Sequence, residues 1–80
     1  MRVLNVIKVK HGIVDDIESF AIFEEQLSEE VIEAAKKMFL ISAKEIGFMD
    51  TYEEDVDRIV DDGYYEIANA SVCLTWSSID

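Results

Sequence analysis

Arg2-Val3-Leu4-Asn5-Val6-Ile7-Lys8-Val9-Lys10-His11-Gly12-Ile13-Val14-Asp15-Asp16-Ile17-Glu18-Ser19-Phe20 is the stretch that decides the fold. β-Branched residues dominate residues 2–10, and apolar side chains fall on both faces near the start, which predicts a strand. His11-Gly12 predicts a turn, because glycine supplies the positive φ that a tight hairpin demands. Residues 13–24 then read as a second strand. A loop centred between His11 and Gly12 would set Val9 against Val14, Lys8 against Asp15, Val6 against Ile17 and Val3 against Phe20. Each such pair contributes roughly 0.2–1 kcal/mol. A slip by one residue would lose the agreement.

Beyond the hairpin the apolar spacing changes to a helical period. Ser28 is placed to cap a helix running to about Ile46, with Glu29 and Glu30 in its first turn against the positive end of the dipole. Val31, Ala35, Met38, Phe39, Ser42 and Ile46 form its inner stripe, widened by Ile32, Leu40 and Ile41. Glu33 and Lys37 are spaced for an i,i+4 pair. Gly47 predicts a left-handed cap, with Phe48 or Met49 folding back on the last turn. Thr51-Tyr52-Glu53-Glu54 has the form of a capping box and opens a short helix over about 52–62, stopped by Gly63.

Residues 64–77 read as one final strand in which Tyr64, Ala68, Ala70, Val72, Leu74 and Trp76 alternate along a face. Asn69 interrupts it as a bulge or a turn. The expected architecture is one α+β domain over residues 1–80. Its order is β-β-α-α-β, a largely antiparallel three-stranded sheet with two helices packed on one face. The position of the last strand in the sheet stays open.

Eighty residues accommodate a single domain. Eighteen acids against seven bases leave a net charge of -11, which disfavours direct contact with nucleic acid or an anionic membrane, since both demand a basic footprint. A basic protein surface, such as that of a nucleic-acid-binding protein, is the favoured partner. The single cysteine, Cys73, has no intramolecular partner and fits a reducing cytoplasm. A lysine at position 8 interrupts the first apolar run too early for a signal peptide, and no apolar stretch reaches the roughly 18 residues of a membrane span.

The acids are clustered. Residues 50–66 hold Asp50, Glu53, Glu54, Asp55, Asp57, Asp61, Asp62 and Glu66 with Arg58 as the one base, and residues 13–30 add Asp15, Asp16 and others with no base. Carboxylates three or four apart on a helix stand about 5–6 Å from one another, and alternate strand residues about 6.6 Å apart. Both spacings are comparable to that of phosphates along a nucleic-acid strand. One reading is a face that mimics nucleic acid, drawn from Glu53, Glu54, Asp55, Asp57, Asp61, Asp62, Asp15 and Asp16. The other is a solvated surface that serves solubility. Tyr64, Tyr65 and Trp76 are candidates either for the core or for an interface, including a homodimer that pairs last strands at the sheet edge.

Catalytic and metal chemistry find little footing. Counting an EF-hand loop from Asp55 puts Ile59 and Val60 where a ligand and a glycine belong. His11 is the sole histidine, with no nucleophile or second imidazole at a useful spacing, and no glycine-rich phosphate loop exists. No enzyme activity, cofactor or metal is expected.

Small size, acidity, the absence of a catalytic motif and a helix-on-sheet layout make the chain resemble accessory proteins of phages and other mobile elements, such as anti-CRISPR proteins. That resemblance covers the whole chain in character and implies a cytoplasmic inhibitor that blocks a nucleic-acid groove. The expected function is thus a non-enzymatic inhibitor or adaptor. The alternative is a small self-associating structural or regulatory protein.

Overall fold

The computed structural model describes residues 2–22 and 28–78. Strands β1 (Arg2–Lys10) and β2 (Ile13–Ile22) are followed by helices α1 (Ser28–Glu45) and α2 (Glu53–Asp62), then by strands β3 (Tyr64–Ile67) and β4 (Ala70–Ser78). The expected strand residues 23 and 24 and the side chain of Ser28, the expected helix cap, lie outside the described residues. The strands form one sheet in the order β2-β1-β4-β3, with every neighbouring pair antiparallel.

The α+β class matches the sequence reading, but four strands replace three. The last apolar run is a hairpin folded at Ala68-Asn69, where Ala68 adopts φ 49°. A left-handed alanine is unfavourable alone. The Asn69 carbonyl accepts a 2.7 Å hydrogen bond from the His11 amide, so the tips of the two hairpins hold each other. This turn shifts the alternation by one. Tyr65 and Ile67 lie on the same side of the sheet as Ala70, Val72, Leu74 and Trp76, whereas Tyr64 is on the opposite side, across from Cys73. The expected run of Tyr64 with Val72 and Trp76 on one face is thereby corrected.

The first hairpin forms as anticipated at its tip, with His11 at φ 55° and Gly12 at φ 76°, a pair of left-handed residues matching the twist of a two-residue loop. Val9 meets Val14, and the register then slips by one between Lys8 and Val9. Asp15 is the extra residue of this bulge. Lys8 consequently pairs with Asp16, Ile7 with Ile17, Val6 with Glu18 and Leu4 with Phe20. The slip trades Ile17 for larger gains: it brings Phe20 and Ile22 to the helix-facing side, where Phe20 packs on the core and Ile22 is buried.

Both helices cover that one side. Val6, Phe39, Ala43, Ile59 and Val72 form the central buried cluster, with Met38, Leu40, Phe48 and Tyr65 packed around it. Helix α1 ends in a Schellman motif: the Phe48 amide donates to the Ala43 carbonyl at 3.0 Å and the Gly47 amide to that of Lys44 at 3.1 Å. Phe48 folds inward to meet Tyr65 edge-to-face, centroids 5.1 Å apart, and Met49 stays exposed. The stripe of α1 holds except at Ile41, which is exposed. Glu33 contacts Lys36 at 4.0 Å rather than Lys37.

The capping box does not form. Tyr52, extended at φ -120° and ψ 127°, is the N-cap residue of α2, and no side chain caps the helix. Glu53, Glu54 and Asp55 in the first turn favour the positive end of its dipole instead. Gly63 closes the helix at φ 66°, its amide donating to the Ile59 carbonyl.

Candidate functional site

Helix α2 is held to the core by one edge. Ile59 is buried, Val56 and Val60 are half-buried, and Glu53, Glu54, Asp57, Arg58, Asp61 and Asp62 are exposed. The acids do not form a single row of free carboxylates. Asp57 and Asp61 border the groove between the helices, lined on the α1 side by Glu33, Lys36, Lys37 and Leu40. Asp55 is half-buried and accepts a 3.2 Å hydrogen bond from Arg58. Asp55 is thus the α2 carboxylate in an ion pair among the described residues, and Glu53, Glu54 and Asp62 lie outside the groove that Lys36 and Lys37 line. The sequence alone could not separate them, because the lysines approach from another helix.

Asp15 and Asp16 belong elsewhere. They stand on β2, the opposite sheet edge from β3, beside which α2 lies. Three strand spacings, about 14 Å, separate the two edges, so these acids and those of α2 do not converge on one cluster. The bulge sets Asp15 and Asp16 side by side next to Lys8. The ammonium of Lys8 reaches Asp15 at 3.5 Å and Glu45 at 2.7 Å, with its side chain only 12% exposed. Its hydrogen bond to Glu45 raises the Lys8 pKa above the usual lysine value, opposed by desolvation and helped by the charges of Glu45 and Asp15. This lysine ties β2 to the end of α1 and neutralises part of that edge. At the other end of the loop after α1, Lys44 lies 2.8 Å from Asp50, and its hydrogen bond holds the Asp50 carboxyl below the usual range.

Comparison with protein families, with curated proteins and with solved structures yields no match.

The three candidate aromatics are dispersed. Tyr65 is part of the core packing. Tyr64 lies on the helix-free side of the sheet, its hydroxyl donating to Glu66 at 2.8 Å, and that bond pushes the phenol pKa up. Trp76 is 47% exposed, with the Arg2 guanidinium 4.2 Å from its ring centroid, a stacking contribution of about 0.5–1 kcal/mol at an exposed site. Strand β4 is interior, flanked by β1 and β3, so of the expected last strand only the short β3, Tyr64–Ile67, lies at a sheet edge. Cys73 is half-buried rather than enclosed. Among the described residues, no group of three or more metal-ligating side chains occurs and no helix is long and apolar enough to cross a membrane.

What the helical layer offers chemically is charge. The segment 28–62, both helices and their connection, holds eleven acids and four bases. Its exposed carboxylates ride on helices whose inner faces are locked by Phe39, Ala43 and Ile59.

Proposed function

We propose that this chain is a non-enzymatic inhibitor or adaptor that docks its helical layer on a basic groove of a nucleic-acid-binding protein. The observation that supports the reading is the exposed acid set of α2, Glu53, Glu54 and Asp62, on a helix pinned by Ile59 and closed by Gly63. A rigid support lowers the entropy lost when side chains are ordered by a partner. Glu53 and Glu54 are adjacent at the start of α2 and Asp62 lies about 12–14 Å farther along its axis, so the helix offers a basic groove anions at both of its ends. The acids of α1, Glu29, Glu30 and Glu33, extend the same layer, while Lys36 and Lys37 between them set the charge pattern a partner must match. The β2 acids Asp15 and Asp16 make a second contact only for a partner large enough to wrap the sheet edge. Class-level likeness to anti-CRISPR and other mobile-element proteins belongs to this reading and names no target.

The test is capture from a cell lysate on the immobilised chain, followed by elution with competing duplex nucleic acid and, separately, with salt. A nucleic-acid mimic releases its partner to both, because the competitor occupies the same groove and salt screens the contact. Glu54 makes no side-chain cap, but it and Glu53 favour the positive end of the helix dipole, so far-UV circular dichroism of the variant is compared with the parent alongside capture. The variant E53Q/E54Q/D62N should capture at least tenfold less, about 1.4 kcal/mol, with a shallower salt dependence. Retention of the partner through nucleic-acid competition, or undiminished capture by the triple variant, sinks the proposal.

A further inference from the structure

The sheet has a second side, and neither helix covers it. Side chains alternate along each strand, so a residue facing the helices has neighbours facing away. Lys8 reaches Glu45 on α1, and Val6 and Val72 pack with Phe39, which places Asn5, Ile7 and Val9 on the opposite side. The observed registers then align Ile17, Ile7, Cys73 and Tyr64 in one row across all four strands. Val14 and Val9 lie beside it in the next row. Val14 is 54% and Ile17 52% exposed. On the other flank of the apolar row stand Ser19, Asn5 and Thr75, where Asn5 accepts from the Ser19 hydroxyl at 2.8 Å and donates to Ser77 at 3.1 Å. Glu66, on the edge strand, is the sole carboxylate of this side among the described residues, and it already accepts the Tyr64 hydroxyl.

We infer that this open face binds the same face of a second copy of the chain. Three features select that occupant. The face is nearly uncharged in a molecule of net charge -11, so a basic partner gains nothing there. A flat face with an apolar row and a hydroxyl-amide flank complements its own kind. Three strands of nine or ten residues and one of four, at ~3.3 Å per residue and ~4.8 Å per strand, give an area of roughly 510 Å² in projection. The accessible surface over protruding side chains exceeds that projection. It therefore clears the ~500 Å² per partner, about 1,000 Å² in total, that a specific interface requires.

The charge distribution permits this association. Sheets pack about 10 Å apart, and each helix layer lies about 10 Å farther out. The two acidic helix layers are then separated by roughly 30 Å, several times the ~8 Å screening length at physiological salt. At ~0.01 M salt that length grows to ~30 Å, and repulsion crosses the dimer. The dimer is therefore strengthened by salt, opposite to any contact made through the helix layer, and its failure or success is independent of the functional proposal above.

Sedimentation velocity on the whole chain tests the inference. At roughly 100 µM and ~0.15 M salt, the protein should sediment as twice its 9.1 kDa mass, and its dissociation constant should rise at least tenfold at ~0.01 M salt. Ile17→Asp and, separately, Thr75→Arg should each give a 9.1 kDa species with an unchanged far-UV circular dichroism spectrum. E53Q/E54Q/D62N, altered only on the helix layer, should remain dimeric. The thiol of Cys73 should react more slowly with a maleimide as protein concentration rises. A parent chain that stays monomeric at every concentration and salt overturns the inference. So does a dimer that survives a folded Ile17→Asp or Thr75→Arg variant, or one that is abolished by the triple amide substitution.

Discussion

The two sides of this one sheet differ in what they ask of their side chains. On the helix-facing side, Leu4, Val6, Val72 and the α1 residues Phe39 and Ala43 are buried, and the charge is carried on the outside of the layer that covers them. On the open side the same strands carry a half-exposed apolar row and a hydrogen-bonded row of serine, asparagine and threonine. The first side stabilises the monomer. The second is nearly free of charge and, apart from Val3, which is buried near the start of β1, contributes little until something covers it. Stability and recognition are thus separated by the thickness of a strand, and variants can address either alone.

The largest expected effect is in the core. Phe39→Ala should lower unfolding free energy by about 3–5 kcal/mol, while Ile17→Ala on the open side should cost under about 1 kcal/mol in the monomer, as is usual for substitutions away from buried features. Urea unfolding at a concentration below dimerisation measures both. Similar losses at the two positions would erase the distinction between the sides.

Next in size is the joint between α2 and the sheet. A Cβ on Gly63, at φ 66°, would lie 3.1 Å from the Leu74 carbonyl oxygen, whereas one on Gly12, at φ 76°, meets nothing within 4 Å. Gly63→Ala therefore adds crowding to the left-handed strain of about 1–2 kcal/mol that the two positions share. Thermal melts of the two alanine variants should show the deeper loss at Gly63. Equal losses would mean that the β4 backbone yields without cost.

A smaller effect separates the sides by charge. Raising ionic strength from low to physiological should raise the melting temperature, since screening relieves like-charge repulsion in the acidic layer. E53Q/E54Q/D62N should flatten that rise, and Thr75→Ser should leave it unchanged. A midpoint that falls as salt is added contradicts a self-repelling helix layer.

The smallest expected effects are at the pH extremes. The pKa of Lys8 is raised in the folded chain by its hydrogen bond to Glu45. Its contribution is therefore full below the unfolded lysine value of about 10.4 and is lost as pH rises through the higher folded value. Asp50 is lowered by Lys44, so its contribution is present above the unfolded value of about 3.9 and disappears as pH falls through the folded one. Urea midpoints across both ranges, compared with Lys8→Gln and Asp50→Asn, should lose the alkaline and acid components respectively. An unaltered alkaline limb in Lys8→Gln would show that the link from Lys8 to α1 adds no stability.

Local chemistry was legible in the residues themselves. The His11-Gly12 tip, the stop at Gly47 with Phe48 turning inward and the left-handed Gly63 each depend on a few neighbouring side chains and on glycine's freedom at positive φ. The acidity of the helices was equally plain, because charge is a property of composition. What only the tertiary structure decided depends on distant partners. The Ala68-Asn69 turn has no glycine and is held by the amide of His11, so four strands looked like three. The bulge at Asp15 reflects the gain from bringing Phe20 and Ile22 under the helices. Lys36 and Lys37 approach Asp57 and Asp61 from another helix, and Asp15 and Asp16 end on the far sheet edge. The row Ile17-Ile7-Cys73-Tyr64 exists only once four strands are set side by side. Turns and caps are determined over a few residues by backbone sterics; registers, groove partners and open faces are determined by the burial of the whole chain at once.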